Sequence, residues 1–240
     1  TPCFPPTMGV MQAIGASIKP VRLTFDGGYR MPLDDLKNAL SPRTKLVSFT
    51  TPHNPSGVVV PPGDCAAILQ AMDDVCPDAY LLVDESYREA VYGDQPIPPS
   101  MADLSPRVMT NASISKCHGA PGLRIGWLSC HDPDMIEQLI LAKLNTVISC
   151  SVVDELLALE VLRRKDVLFR ERREGLALAL DKVAAWIDQE AAFVEWVRPE
   201  GGAMCSIRLR ADVFADDVVD RFFAKLKAHD TMVAQGRWFD

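Results

Sequence analysis

Nowhere in this chain does a run of apolar residues approach the roughly 20 that a membrane-spanning helix needs. No secretory leader pattern opens it either, so the expectation is a cytoplasmic protein with no membrane partner. Excess positive charge is missing as well. Against 25 lysines and arginines stand 32 aspartates and glutamates, a formal net charge of -7, which argues against nucleic acid or an anionic membrane surface as the main partner. Basic residues are scattered apart from Arg163-Arg164-Lys165 and Arg170-Glu171-Arg172-Arg173, where interleaved acids point to a solvated helix face. The seven cysteines form no C-x-x-C pair and the four histidines lack zinc spacing, so no metal site is expected. An odd cysteine count in a chain of this size fits reduced, mostly buried thiols. Repeats and low-complexity tracts are absent, and 48% hydrophobic with 24% charged residues suffices to bury a sizeable core.

What the sequence does contain is an alternation of strand-like and helix-like segments, the pattern of a mostly parallel sheet covered by helices. Strands are expected at 21–25, 46–50, 80–83, 108–111 and 125–129. Helices are expected near 33–40, 64–75 and 133–144, the first and last opening beside Pro32 and Asp132. After Ser149 the period becomes helical, with Val153, Leu156, Leu157, Val161 and Leu168 leading into one long helix past Trp186. Strands near 193–197 and 203–209, a helix from about Asp216 to Ala228 and a last strand near Met232 complete the expected order. The chain thus divides into 1–150, a large α/β unit, and 151–240, a long helix with a smaller α+β domain.

Chemistry concentrates in the stretch Ser113 to Trp127, S-I-S-K-C-H-G-A-P-G-L-R-I-G-W. A lysine amine attacks only when deprotonated, and at an ordinary pKa of about 10.4 little of it is so at neutral pH. A site that uses Lys116 must therefore desolvate it or surround it with charge. Arg124, beyond Gly119, Pro121 and Gly122, lies where a turn brings its guanidinium back beside the Ser113 hydroxyl, a grip suited to phosphate. Upstream, Leu46-Val47-Ser48-Phe49 runs into Thr50-Thr51-Pro52-His53-Asn54-Pro55-Ser56-Gly57, a strand end followed by a turn. Tyr80-Leu81-Leu82-Val83 ends on Asp84, with Tyr87 three residues later. In open α/β sheets ligands bind beyond the carboxyl ends of strands, so Asn54 and Asp84 sit where a ligand would. Taken singly, Asn54 also suits an Asn-Pro turn, Asp84 a helix N-cap, Tyr87 a packing residue and Phe4 a core residue. Asn111-Ala112-Ser113 matches a glycosylation acceptor by pattern and is set aside as common by chance.

Together these segments resemble the class I/II aminotransferases, the fold type I enzymes of pyridoxal 5′-phosphate, in both order and approximate spacing. The resemblance implies a three-layer α/β/α fold with a mostly parallel sheet. It makes Lys116 the Schiff-base lysine and general base, and gives Ser113 and Arg124 the cofactor phosphate. Asp84 would face the pyridine nitrogen, Asn54 and Tyr87 the phenolic oxygen, and Phe4, in Thr1-Pro2-Cys3-Phe4-Pro5-Pro6, the ring face. Pro199-Glu200-Gly201-Gly202 resembles the family's P-x-G-G turn. The implied activity is amino transfer between an amino acid and a 2-oxo acid, in a homodimer. A C-S lyase, a decarboxylase, a cyclising synthase or a non-catalytic homologue would share the same scaffold. Two family features have no counterpart in these residues: a small-residue loop ahead of Thr1 whose amides also hold the phosphate, and an arginine beyond Asp240 that clamps the substrate carboxylate. The expectation is a partial sequence of a longer aminotransferase.

Overall fold

The computed structural model describes residues 1–214 and 218–239. Its order is α1 (Pro5–Ala13), α2 (Leu33–Ala39), β1 (Leu46–Thr50), α3 (Pro62–Val75), β2 (Tyr80–Asp84), β3 (Val108–Ser113) and β4 (Gly126–Ser129). There follow α4 (Pro133–Thr146), α5 (Val152–Arg163), α6 (Lys165–Gln189), β5 (Val194–Trp196), β6 (Ile207–Leu209) and α7 (Val218–Ala228). Strands β1, β2 and β3 pair in parallel, in that spatial order, and β4 joins β3 antiparallel. Strands β5 and β6 form a separate antiparallel pair.

The core lies between this sheet and α3. Cys65, Ile68, Leu69 and Met72, spaced by three, one and three, make one helical face, and all are buried. They pack with Leu81, Val83 and Val108 from the sheet and Leu36 from α2. Each large apolar side chain fully removed from water stabilises by roughly 1.5–3 kcal/mol, which fixes the central strands and therefore their ends. Helix starts follow the sequence signals: Asp132 caps α4 by accepting from the backbone N–H of Asp134 and Met135, and Ser151 caps α5 through Asp154 N–H.

Four expectations differ from the structure. Residues 21–25 form no strand, because their apolar alternation finds no neighbouring strand; the chain is held there by backbone bonds between Thr1 and Val21 and between Leu23 and Thr1, 2.6 and 2.7 Å long. Residues near Met232 form no strand either, and a short 3₁₀ turn, Gly236–Trp238, follows. The single long helix is two, broken at Arg164, whose φ/ψ of -99°/10° leaves the helical region; no Gly or Pro marks that break. Of the strand expected at 203–209 only Ile207–Leu209 forms, paired with β5; the helix α1, opened by Pro5 and Pro6 as proline suits a first helical turn, is an addition to the expected order. The expected start of the last helix at Asp216 lies outside the described residues.

Candidate active site

Because β1, β2 and β3 run in parallel, their carboxyl ends emerge on one edge, and the chain after each end carries a candidate residue. Thr51, just after β1, donates its N–H to the Asp84 carbonyl at 3.0 Å, which ties the first turn to the second strand. Asn54 follows, buried, and its Oδ1 is shut from water without a hydrogen-bond partner. Buried amide atoms are nearly always paired, so this unpartnered acceptor at a strand end is an exception within the core.

Asp84 closes β2. Its Oδ1 accepts from Ser86 N–H at 2.9 Å and from Asn111 Nδ2 at 3.0 Å, and Asn111 is its register partner on β3. These donors hold the carboxylate in one orientation at the sheet edge. Tyr87 lies one turn further, against Ala90, Cys117 and Phe169. Lys116 sits in the turn after β3, with Nζ 5.9 Å from the centroid of the Tyr87 ring. The two loops are joined by Cys117, whose Sγ donates to Ser86 O at 3.3 Å. Burial pushes that thiol up to about 12, so it stays protonated and serves as a donor.

Ser113 ends β3 opposite Gly126 on β4. A Cβ on Gly126 would lie 3.0 Å from Ala112 O and 3.3 Å from Ser113 Cβ, so glycine permits the close approach that brings the Arg124 backbone beside the Ser113–Lys116 loop. Arg124 itself adopts a left-handed conformation, φ 54°, and donates to Pro121 O at 2.9 Å. The Ser113 hydroxyl accepts from Ser115 N–H at 3.3 Å, and no Arg124–Ser113 hydrogen bond occurs among the described residues. Phe4 precedes α1 and is exposed. Its segment reaches the Asn54 loop through Pro2 O, which accepts from His53 Nε2 at 2.9 Å.

Several contributing residues escaped the sequence reading. Asn111 drew notice only as a glycosylation pattern, yet its amide is committed to Asp84; the parallel register alone would have revealed it. His53 is buried, and since Pro2 O can only accept, Nε2 donates and Nδ1 accepts from Ser56 Oγ at 2.7 Å. Burial lowers its pKa to about 4. Glu200 accepts from Val59 N–H at 2.9 Å and pairs with Arg30, while Glu200 and Gly201 both donate N–H to Gly57 O. The P-x-G-G turn thus rides on the turn that carries Asn54. A groove of about 550 Å³ lined by Thr51, Pro52, Glu85, Arg88, Met101 and Glu200 adjoins this contact and includes none of the seven candidate residues.

The model of the family "Aminotransferase class I and II" matches residues 1–236, and the chain belongs to that family. Its cofactor is pyridoxal 5′-phosphate. The chain is 31% identical over 240 residues, all of this chain and 60% of the other, to a capreomycidine synthase of Streptomyces vinaceus. It is 27% identical over 229 residues, 88% of this chain and 54% of the other, to an arginine–pyruvate transaminase of Pseudomonas aeruginosa. Among solved structures, the aspartate aminotransferase of Thermus thermophilus with maleate superposes with a TM-score of 0.86 at 21% identity, covering 100% of this chain and 61% of that one. That likeness shows the fold, the three-layer fold type I arrangement with a mostly parallel sheet. The chain spans 54–60% of the length of these curated relatives.

Proposed function

We propose that the chain carries the cofactor site of an aminotransferase that moves an amino group between an amino acid and a 2-oxo acid. What supports the reading is that Asn54, Asp84 and Lys116 lie at or just after the carboxyl ends of three adjacent parallel strands. The Asn54 amide can donate through Nδ2, the Asp84 carboxylate is held in one orientation by Asn111, and Lys116 is a primary amine beside the Tyr87 ring: these are the donor, counter-charge and nucleophile that pyridoxal phosphate requires, so the residues fit it. When bound, that cofactor supplies an electron sink for charge developing at the substrate α-carbon.

Lys116 would hold the cofactor through Nζ until the amine of an incoming amino acid takes its place, and the freed Nζ would then take the substrate α-proton and return it. Asp84 presents its carboxylate to the ring nitrogen, with Asn111 and Ser86 keeping it aimed. Asn54 and Tyr87 hydrogen-bond the phenolic oxygen, Ser113 and Arg124 hold the phosphate, and Phe4 covers the ring. Residues 1–150 form the cofactor-binding unit and 151–240 the long helices and part of a small domain. A cytoplasmic homodimer completes the proposal, on the strength of the family likeness.

The similarity to a capreomycidine synthase over the whole chain favours one second reading, a cyclising synthase that needs no amino acceptor. Incubation of the loaded protein with amino acids, with and without 2-oxoglutarate, decides between them. Turnover that requires the acceptor and falls roughly 10³-fold or more in Lys116→Ala supports amino transfer. Turnover without it favours the synthase, and turnover surviving in Lys116→Ala contradicts both.

A further inference from the structure

The run Arg170-Glu171-Arg172-Arg173 reads as a solvated helix face, and one of its arginines, Arg172, while exposed, reaches back with Nη1 to a backbone oxygen of the Lys116 loop. On α6, Phe169, Arg172 and Leu176 recur at three and four residues, the spacing of one helical stripe, and this stripe meets the Lys116 loop. Phe169 is buried with Cys117 and Ala90, and Tyr87 and Leu176 pack against them. Its ring lies 4.9 Å from that of His118 at 62°, an edge-on contact, and His118 meets Trp127 of β4 from another side at 6.1 Å. The segment 117–119 is therefore gripped between β4 and α6.

Arg172 completes the grip. Its Nη1 donates to the Lys116 carbonyl at 3.1 Å, and Gly119 N–H donates to the same oxygen at 3.2 Å, so both of its lone pairs are used. Gly119 has φ +71°, and a Cβ there would come within 2.0 Å of the Arg172 guanidinium. The backbone favours glycine at this positive φ, and the arginine occupies the space that a Cβ would take. A carbonyl held from two sides fixes the peptide plane of Lys116 and hence the direction in which its side chain leaves. Misplacement of a reacting group by about 1 Å costs on the order of 100-fold in rate.

We infer that Arg172 is a positioning residue that ties α6 to the carbonyl of Lys116 and sets the approach of the Lys116 amine to the cofactor. The inference rests on the proposed role of Lys116. It does not follow from a general packing role, since the contact is one directed, charge-assisted bond to the lysine's own backbone.

The test uses the whole chain loaded with pyridoxal 5′-phosphate, as wild type, Arg172→Met, Arg172→Lys and, as control, Arg170→Met, a likewise exposed neighbour on the same helix. Borohydride-trapped adduct on the Lys116 peptide is titrated against cofactor concentration, and amide exchange of Gly119 and Ala120 is followed together with the melting temperature. Expected are about tenfold weaker cofactor capture in Arg172→Met, the loss typical of one charge-assisted hydrogen bond, and faster exchange at Gly119 and Ala120. Arg172→Lys should restore most of both, and Arg170→Met should match wild type. If Arg172→Met fails to fold, Arg172→Gln, which lacks the reach, is read in the same way. A wild-type adduct with capture and exchange unchanged in the Arg172 variant overturns this inference alone. No adduct on Lys116 in the wild type overturns the proposed function and this inference with it.

Discussion

Residues 46–120 and residues 133–228 differ in what holds them. In the first region α3 buries five side chains, Cys65, Ile68, Leu69, Ala71 and Met72, against strands whose Leu81, Val83 and Val108 are fully buried. In the second, α4 and the described part of α7 bury none, α5 buries only Ala158, and α6 only Phe169 and Ile187. The two meet where Phe169 and Leu176 pack against Ala90, Cys117 and Tyr87 and through directional contacts that include Arg172 on the Lys116 carbonyl, Glu200 and Gly201 on Gly57 O, and Gly202 N–H on Ala90 O at 2.7 Å. Every one of these lands on a loop that leaves the carboxyl edge of the sheet. Packing makes the first region rigid enough to aim side chains, and the second region touches it at the aimed loops.

Substitutions can break this contrast. Leu81→Ala removes a side chain with no exposure from the sheet core and should cost about 3 kcal/mol, a fall in melting temperature of roughly 6–12 °C. The same change at Leu141 on α4, 52% exposed, should cost no more than about 0.5 kcal/mol. Equal losses in chemical denaturation would erase the distinction.

Acid titration probes the join between the Phe4 segment and the Asn54 loop. His53 is held near a pKa of about 4 by burial, against about 6.5 when unfolded, so the unfolded chain binds the extra proton first. Its contribution is fully present above about pH 6.5 and is lost as pH falls towards 4, amounting to about 3 kcal/mol. Protonation also places a hydrogen on Nδ1, where Ser56 now donates. His53→Gln should flatten the stability profile between pH 6.5 and 4; an unchanged slope would show that His53 is not the group that titrates.

Gly57→Ala strikes the contact between the regions directly. At φ +74°, a Cβ would lie 2.5 Å from Pro199 Cβ and 2.8 Å from Gly201 O and Met204 O. The cost should be about 2 kcal/mol, and limited proteolysis should accelerate around 199–204. Wild-type stability would mean that the P-x-G-G turn does not bear on the Asn54 turn.

The sheet was legible because its strands are short apolar runs ending at turn residues: 46–50 is the strand Leu46–Thr50, and 80–83 extends by one residue to Asp84. The placement of Asn54, Asp84, Ser113 and Lys116 at strand ends followed from that. What stayed hidden depended on partners distant in sequence. Val21 to Phe25 alternates like a strand but has none beside it, and the role of Asn111 appears only once β2 and β3 are in register. Arg172 is indistinguishable from Arg170 in the sequence, since helix phase and the turn at Gly119 decide which one faces Lys116. The break at Arg164 carries no proline or glycine to announce it.

The central claim, that the carboxyl edge of the parallel sheet is a pyridoxal phosphate site centred on Lys116, is tested most directly by covalent trapping. The protein is incubated with pyridoxal 5′-phosphate, reduced with borohydride, digested and mapped by mass spectrometry. A pyridoxyl adduct confined to the peptide bearing Lys116, and absent in Lys116→Ala, is the predicted result. A folded wild-type sample with no adduct, or with adducts spread over surface lysines at equal yield, would contradict it.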